Sequence, residues 1–270
     1  MPMRTLPMSA HVDPWIEFRR FAPTSARQRR CLLTSFVVAV GDPTPEQLTV
    51  PAVHVWWRSL GRLRPASARA HLIAARHFAG WLGVDDRLEA IGVPRVAHAD
   101  PATLTDAELV AVWGVCVTVD DRALFALMLG SGLRCIDCAR LRVEDVDTRS
   151  RLMRVTGKGG RVDLVPVPLW AVASLTAVVD GRRSGAVFDV GAHTMGKRMT
   201  ALMVVAAVKV SAHDGRGAHA LRRTCATRML TAGVSIRVVQ QVLRHTELSS
   251  TQRYLAVAET SALIAGVDAA

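Results

Sequence analysis

The sequence predicts a mainly α-helical chain in two domains, with one small antiparallel β-sheet in the second. Three observations predict it. Apolar residues recur at helical spacing from Pro14 to Leu82. That periodicity is lost over residues 84–104, which contain Gly92, Pro94 and Pro101. After Val143 the period shortens to two on either side of a glycine-rich turn. A chain of 270 residues, half of them apolar, is long enough for two cores. The boundaries read as 1–86 for a helical domain, 87–104 for a linker and 105–270 for a larger domain.

Taken in order, a short amphipathic piece from Pro14 to Phe21 carries Trp15, Ile16 and Phe18. Ser25 opens a helix with Leu32, Leu33, Phe36, Val37 and Val40 on one face, and Gly41 ends it. T-P-E-Q at Thr44–Gln47 has the form of a capping box with proline at the first helical position. A third helix runs from Val50 to Leu60, and Ser67 caps a fourth with the stripe Leu72, Ala75, Ala79, Leu82. The tryptophans are assigned to the core. Beyond the linker, T-D-A-E at Thr105–Glu108 is a second capping box, followed by the apolar face Leu109, Val112, Trp113, Cys116. Asp121–Gly130 is almost wholly apolar and predicts a buried helix; Gly132 breaks it, and helix resumes over Leu133–Leu141. R-L-M-R-V-T, G-K-G-G and R-V-D-L-V-P-V then read as two strands joined by a turn. Helices return at Trp170–Val179 and Gly196–Val208, and the closing ones begin near His219, Val234 and Ser249.

The net charge of +11 and the pI near 10.8 call for an anionic partner, foremost nucleic acid. The excess is spread over the chain: residues 1–100 carry 13 basic and 8 acidic side chains, and residues 101–270 carry 21 and 15. A basic membrane-surface protein would concentrate it in one amphipathic helix. No apolar run approaches the roughly 20 residues of a membrane span, which predicts a soluble protein. Five cysteines in apolar, helix-like contexts fit a reducing cytoplasm, and Cys135 and Cys138 read as small buried helix residues rather than half a zinc site. The arginines between the first helices, Arg27, Arg29, Arg30, Arg64 and Arg69, are candidate phosphate contacts.

Tyr254 is the only tyrosine. His245 lies nine positions before it, and His219 and Arg222 form a His-x-x-Arg pair. Upstream, Arg134 stands at the Gly132 break and Lys158 in the G-K-G-G turn, one of only three lysines with Lys197 and Lys209. Such a set suits phosphoryl transfer. A tyrosine hydroxyl titrates near 10, so ionising it at pH 7 costs roughly 4 kcal/mol unless cations stabilise the phenolate. Two guanidiniums can clamp the nonbridging oxygens of an attacked phosphodiester with paired hydrogen bonds, a task otherwise given to a metal ion.

Four stretches resemble the tyrosine recombinases, also called phage-type integrases: S-G-L-R-C-I-D-C-A-R-L-R-V-E-D-V, V-T-G-K-G-G-R-V-D-L-V-P-V, H-A-L-R-R-T-C-A-T and V-L-R-H-T-E-L-S-S-T-Q-R-Y. They cover residues 131–254 and fill six catalytic positions in order: Arg134, Lys158, His219, Arg222, His245 and Tyr254. The resemblance implies a C-shaped two-domain clamp around double-stranded DNA. Residues 1–86 would be the core-binding, SAM-like DNA-binding domain and 105–270 the catalytic domain. It implies site-specific cleavage and rejoining of DNA without a cofactor, through a 3′-phosphotyrosine at Tyr254. Lys158 would protonate the leaving 5′-oxygen, His219 act as general acid/base near the tyrosine, and His245 donate to the phosphate. The family's working state implies a homotetramer on paired sites, joined by exchange of the tail near residues 258–270, with accessory recombination factors and a bacterial, nucleoid-associated cytoplasmic setting. The start of the core-binding helices near residue 14 points to an Xer-like or mobile-element enzyme.

Three positions depart from the family pattern. Arg223 replaces a histidine, Asp137 a glutamate and Arg244 the glycine before the third-box histidine. If position 244 needs a positive φ, an arginine there is strained. The competing readings are a type IB topoisomerase, a DNA-binding protein with a decayed centre, and a metal-dependent nuclease built on Glu144, Asp145 and Asp147.

Overall fold

The computed structural model describes residues 5–95, 102–157 and 160–244. The chain divides into two compact units, residues 1–98 and 99–270.

The first unit is all helical. Helix α1 spans Ser9–Phe18, α2 Pro23–Ala39, α3 Val50–Ser59, α4 Pro65–Leu82 and α5 Asp86–Glu89. α1 begins earlier than its sequence signal because Met8 and Val12 extend the buried stripe of Trp15 and Ile16, and that burial carries Pro14 inside the helix. Phe18 is 67% exposed and does not join the core. Prolines set two further starts. Pro23 and Pro65 occupy first helical turns, so α2 begins before Ser25 and α4 before Ser67, with Arg64 as the flanking residue. The Thr44–Gln47 box closes on a single 3₁₀ turn, and Thr49 caps α3 instead. Leu72, Ala75, Ala79 and Leu82 are all buried along α4. Phe36 meets Trp56 edge-on at 4.6 Å between ring centroids, and Trp15 meets Phe78 at 5.7 Å. The aperiodic stretch still supplies Leu88, from one turn of helix too short to show a period, and Ile91 just beyond it to this core.

In the second unit α6 spans Asp106–Val115, α7 Val119–Gly130 and α8 Cys135–Arg140. Strands β1 (Val146–Asp147), β2 (Leu152–Thr156) and β3 (Val162–Pro166) form one antiparallel sheet in sequence order. α9 covers Leu169–Val179, α10 Ala192–Val205, α11 Ala218–Thr231 and α12 Ile236–Leu243. The Thr105 box forms as read: its hydroxyl accepts from Glu108 N at 3.2 Å, and Glu108 Oε2 accepts from Thr105 N at 2.8 Å. α7 is the buried central helix, packed by α9 and α11. The sheet has three strands rather than two, because two-residue β1 pairs Val146 with Met153 and Asp147 with Leu152. β2 and β3 pair from Leu152↔Pro166 to Thr156↔Val162, and Met153, Val155 and Val165 face the core. α10 starts four residues before Gly196, since Met195 already belongs to its buried stripe with Met199, Leu202 and Met203. The helix expected near Ser249 lies outside the described residues.

Cys116, Cys138 and Cys225 are buried and Cys135 half-buried as free thiols, while Cys31 is exposed. Trp15 and Trp56 are core residues, and Trp57 and Trp81 pack half-buried against that core.

Candidate active site

Gly132 carries the sharp break between α7 and α8, at φ +62°. The chain then turns so that Arg134 sits at the N-cap of α8 with extended backbone. Asp137 closes this first turn: its Oδ2 accepts from the Arg134 backbone N–H at 2.9 Å. Asp137, Cys138 and Leu141 are buried and Arg134 is half-exposed beside them.

α11 delivers the second group. Its entry loop is tied by Asp214, which accepts from the backbone N–H groups of Val210, Ser211 and Arg216 and from Lys209 Nζ at 2.8 Å. Lys209 donates its ammonium to this loop, and the Asp214 carboxyl is held well below the usual range, chiefly by that hydrogen bond. The N-terminal turn of α11 then presents His219, and the next turn buries Arg222. The centre of α11 is fixed by Thr224, whose hydroxyl accepts from Leu104 N at 2.9 Å.

Arg222 binds the site together. Its Nη1 donates to the carbonyl of Gly132 and its Nη2 to the carbonyl of Leu243, the last residue of α12. Two carbonyls from segments 111 residues apart in sequence thus set the plane of one guanidinium. His219 keeps an exposed edge, yet its pKa lies below the ordinary histidine value. Burial of the ring is the main cause, followed by the charges of Arg223, Arg222 and Arg134. Burial and the neighbouring guanidiniums thus both disfavour the charged imidazolium. The charges of Arg134 and Arg222 both reach the His219 ring. Arg223 donates to the carbonyl of Gly215 and so braces the loop that precedes α11.

Arg244, at the C-cap of α12, adopts φ 54° and ψ 47°. The left-handed conformation anticipated for this position is present, at a cost of roughly 1–2 kcal/mol for a non-glycine residue. Its side chain has a counterpart that sequence reading missed. The guanidinium makes an ion pair with Asp137, and the two side chains are only 5% and 7% exposed. Nothing in the local sequence links positions 107 apart.

A third polar feature flanks the site. Cys135, His193, Lys197, Thr200 and His219 line a cleft between α8, α10 and α11. Lys158, His245 and Tyr254 lie outside the described residues. In the first unit Arg27, Arg64 and Arg69 are exposed, Arg29 lies 5.9 Å from the Phe21 ring centroid, and Arg30 Nε donates to Asp13 at 2.7 Å. The carboxylates considered for a nuclease are engaged locally. Glu144 accepts from Arg142 Nε and Gly185 N, Asp145 from Arg154 Nε, and Asp147 from the backbone N–H groups of Arg149 and Ser150.

Residues 103–261 match the phage integrase family. Over 242 residues the chain is 33% identical to tyrosine recombinase XerC of Mycobacterium tuberculosis, covering 79% of this chain and 80% of that protein. Over 233 residues it is 29% identical to tyrosine recombinase XerD of Pseudomonas putida, covering 76% of each. Among solved structures it resembles a lambda integrase dimer bound to a COC′ core site, with a TM-score of 0.77 at 13% identity over 93% of this chain and 77% of that one. The Tn1549 transposon integrase in complex with a circular intermediate DNA gives 0.76 at 16% identity over 96% and 99%. At such identities the structural likeness speaks for the fold.

Proposed function

The chain belongs to the phage integrase family, and on that premise we propose that it breaks and rejoins double-stranded DNA with Tyr254 as nucleophile. Site-specific recombination by a tyrosine recombinase is the activity that the relatives support, and DNA relaxation of the type IB kind is not favoured.

In the proposed reaction the Tyr254 oxygen attacks a backbone phosphorus. A 3′-phosphotyrosine bond forms, the P–O5′ bond breaks, and the leaving 5′-oxygen takes a proton from Lys158. His219 accepts the tyrosine proton as general base. Arg134 and Arg222, with His245, stabilise the charge that builds on the nonbridging oxygens. Because the phosphotyrosine conserves the energy of the broken bond, a 5′-hydroxyl from another strand reverses the step without ATP. The observation that carries this reading is the Arg222 guanidinium, buried and anchored by two carbonyls, whose charge acts with that of Arg134 on the His219 ring.

Residues 1–86 serve in this reading as the DNA-gripping domain, with Arg27, Arg29, Arg30, Arg64 and Arg69 toward phosphates, and residues 105–270 as the catalytic domain. The working form is a homotetramer on paired sites at the bacterial nucleoid, assisted by accessory factors. Its tail, with S-A-L-I-A-G-V, crosses to a neighbouring copy. Support for that exchange comes from an apolar groove of about 680 Å³ in the second unit, lined by Leu109, Trp113, Phe125, Trp170, Met229 and Val234 among others.

The test is a nicked suicide duplex that traps the cleaved state. The unaltered chain should form a covalent adduct, and Tyr254→Phe should form none. Since Tyr254 is the only tyrosine, an undiminished adduct in that variant would refute the mechanism.

A further inference from the structure

We propose that Arg244 is a positioning residue for Arg134, acting through Asp137; the proposal rests on the recombinase reading above. Three observations converge on it. Arg244 holds a left-handed backbone conformation that a glycine would adopt without strain, so the position keeps its arginine against a conformational preference. Its guanidinium is buried and ion-paired with Asp137, which is equally buried. The same Asp137 oxygen accepts the backbone N–H of Arg134 and closes the first turn of α8.

The end of α12 therefore gauges both arginines of the site. Leu243 holds Arg222 through its carbonyl, and Arg244 holds the α8 turn that carries Arg134. The charge balance gives this arrangement its catalytic meaning. With Arg244 in place, the Asp137 carboxylate is neutralised and points its remaining capacity at the Arg134 backbone. Without it, a buried carboxylate is left uncompensated one turn from the Arg134 guanidinium, which would turn toward it and away from a phosphate. Removing the carboxylate charge as well should then relieve the damage, because the amide oxygen of an asparagine in place of Asp137 can still accept the Arg134 N–H.

The experiment uses the full chain and a nicked suicide duplex recovered from a randomised pool by covalent capture with the unaltered protein. Cleavage rate at saturating DNA, half-saturating DNA concentration and thermal midpoint are measured for Arg244→Gly, Arg244→Lys, Asp137→Asn and the double variant Asp137→Asn/Arg244→Gly. Arg244→Gly should slow cleavage about tenfold or more, with half-saturation changed less than about twofold. Arg244→Lys should recover part of the rate, and Asp137→Asn should raise the rate of the Arg244→Gly chain rather than lower it further. Arg244→Gly cleaving within about twofold of the unaltered chain would overturn the proposal. So would a loss confined to DNA affinity, or a double variant whose rate loss is the product of the two single losses. Should the unaltered chain capture no duplex from the pool, the recombinase reading falls and takes this proposal with it.

Discussion

Gly132→Ala should damage both the stability of the second unit and the setting of Arg222, and the structure supplies the magnitude. Gly132 has φ +62°, and a Cβ built there lies 2.5 Å from Leu243 Cδ2 and 3.5 Å from Cys225 Sγ. An alanine in the left-handed region costs roughly 1–2 kcal/mol, part of which is regained because alanine restricts the unfolded chain. The clash adds an overpacking cost of about 1–3 kcal/mol, since Leu243 is fully buried against Ala226 and Val239 and has little room to turn. The total is about 2–4 kcal/mol. For a unit of this size that lowers the thermal midpoint by about 5–15 °C, measurable by calorimetry. Gly132 and Leu243 are also the residues whose carbonyls anchor Arg222, so the variant should cleave suicide DNA slowly even where it is folded. Leu243→Ala alone costs about 2–5 kcal/mol by opening a cavity. In the double variant the clash disappears, and its loss should fall short of the summed single losses by about 1–3 kcal/mol. A Gly132→Ala midpoint within about 2 °C of the unaltered chain, or strict additivity in the double variant, would refute the reasoning.

Three further outcomes probe the electrostatics. The His219 ring, followed by NMR, should titrate below the value of about 6.5 expected of a free histidine. Arg223→Ala should raise that midpoint without restoring it fully, because burial is the larger cause; an unmoved midpoint would remove Arg223 from the site's field. Since the folded pKa is the lower one, the folded chain binds fewer protons here, and this group costs stability as pH falls through the unfolded value. Asp121 shares that pH dependence, although here the charged form is the one the fold favours. Its buried carboxylate accepts from Arg198 Nε at 2.8 Å and Nη2 at 2.7 Å, and chiefly for that reason its pKa is lowered. The stabilisation is present above the ordinary carboxylate range and is lost as pH falls through the folded value. Asp121→Asn should therefore cost about 1–2 kcal/mol at pH 7, discounted for the half-exposed arginine, and the deficit should shrink in acid. Urea denaturation that gives the same deficit at both pH values would count against it.

Much of this protein is legible locally. The Thr105 box, the Gly132 break, the buried run of α7 and the alternation of β2 and β3 depend on residues within a few positions of one another, and each forms as the spacing predicts. The motif residues are legible for a related reason, because residue type and order carry the chemistry before any geometry is known. Where local signals compete, tertiary contact decides. Met8 and Val12 draw Pro14 into α1, and two-residue β1 exists only by pairing with β2. The site shows the division most clearly. The sequence by itself, through its resemblance to the family, singled out Arg134, His219 and Arg222 and marked position 244 as a departure that would be strained if its φ were positive. Only the fold decided what holds them: the carbonyls of Gly132 and Leu243 for Arg222, and the buried Asp137 for Arg244. Those partners lie 21 to 107 residues away, and a hydrogen bond is settled by distance in space, on which separation along the chain has no bearing.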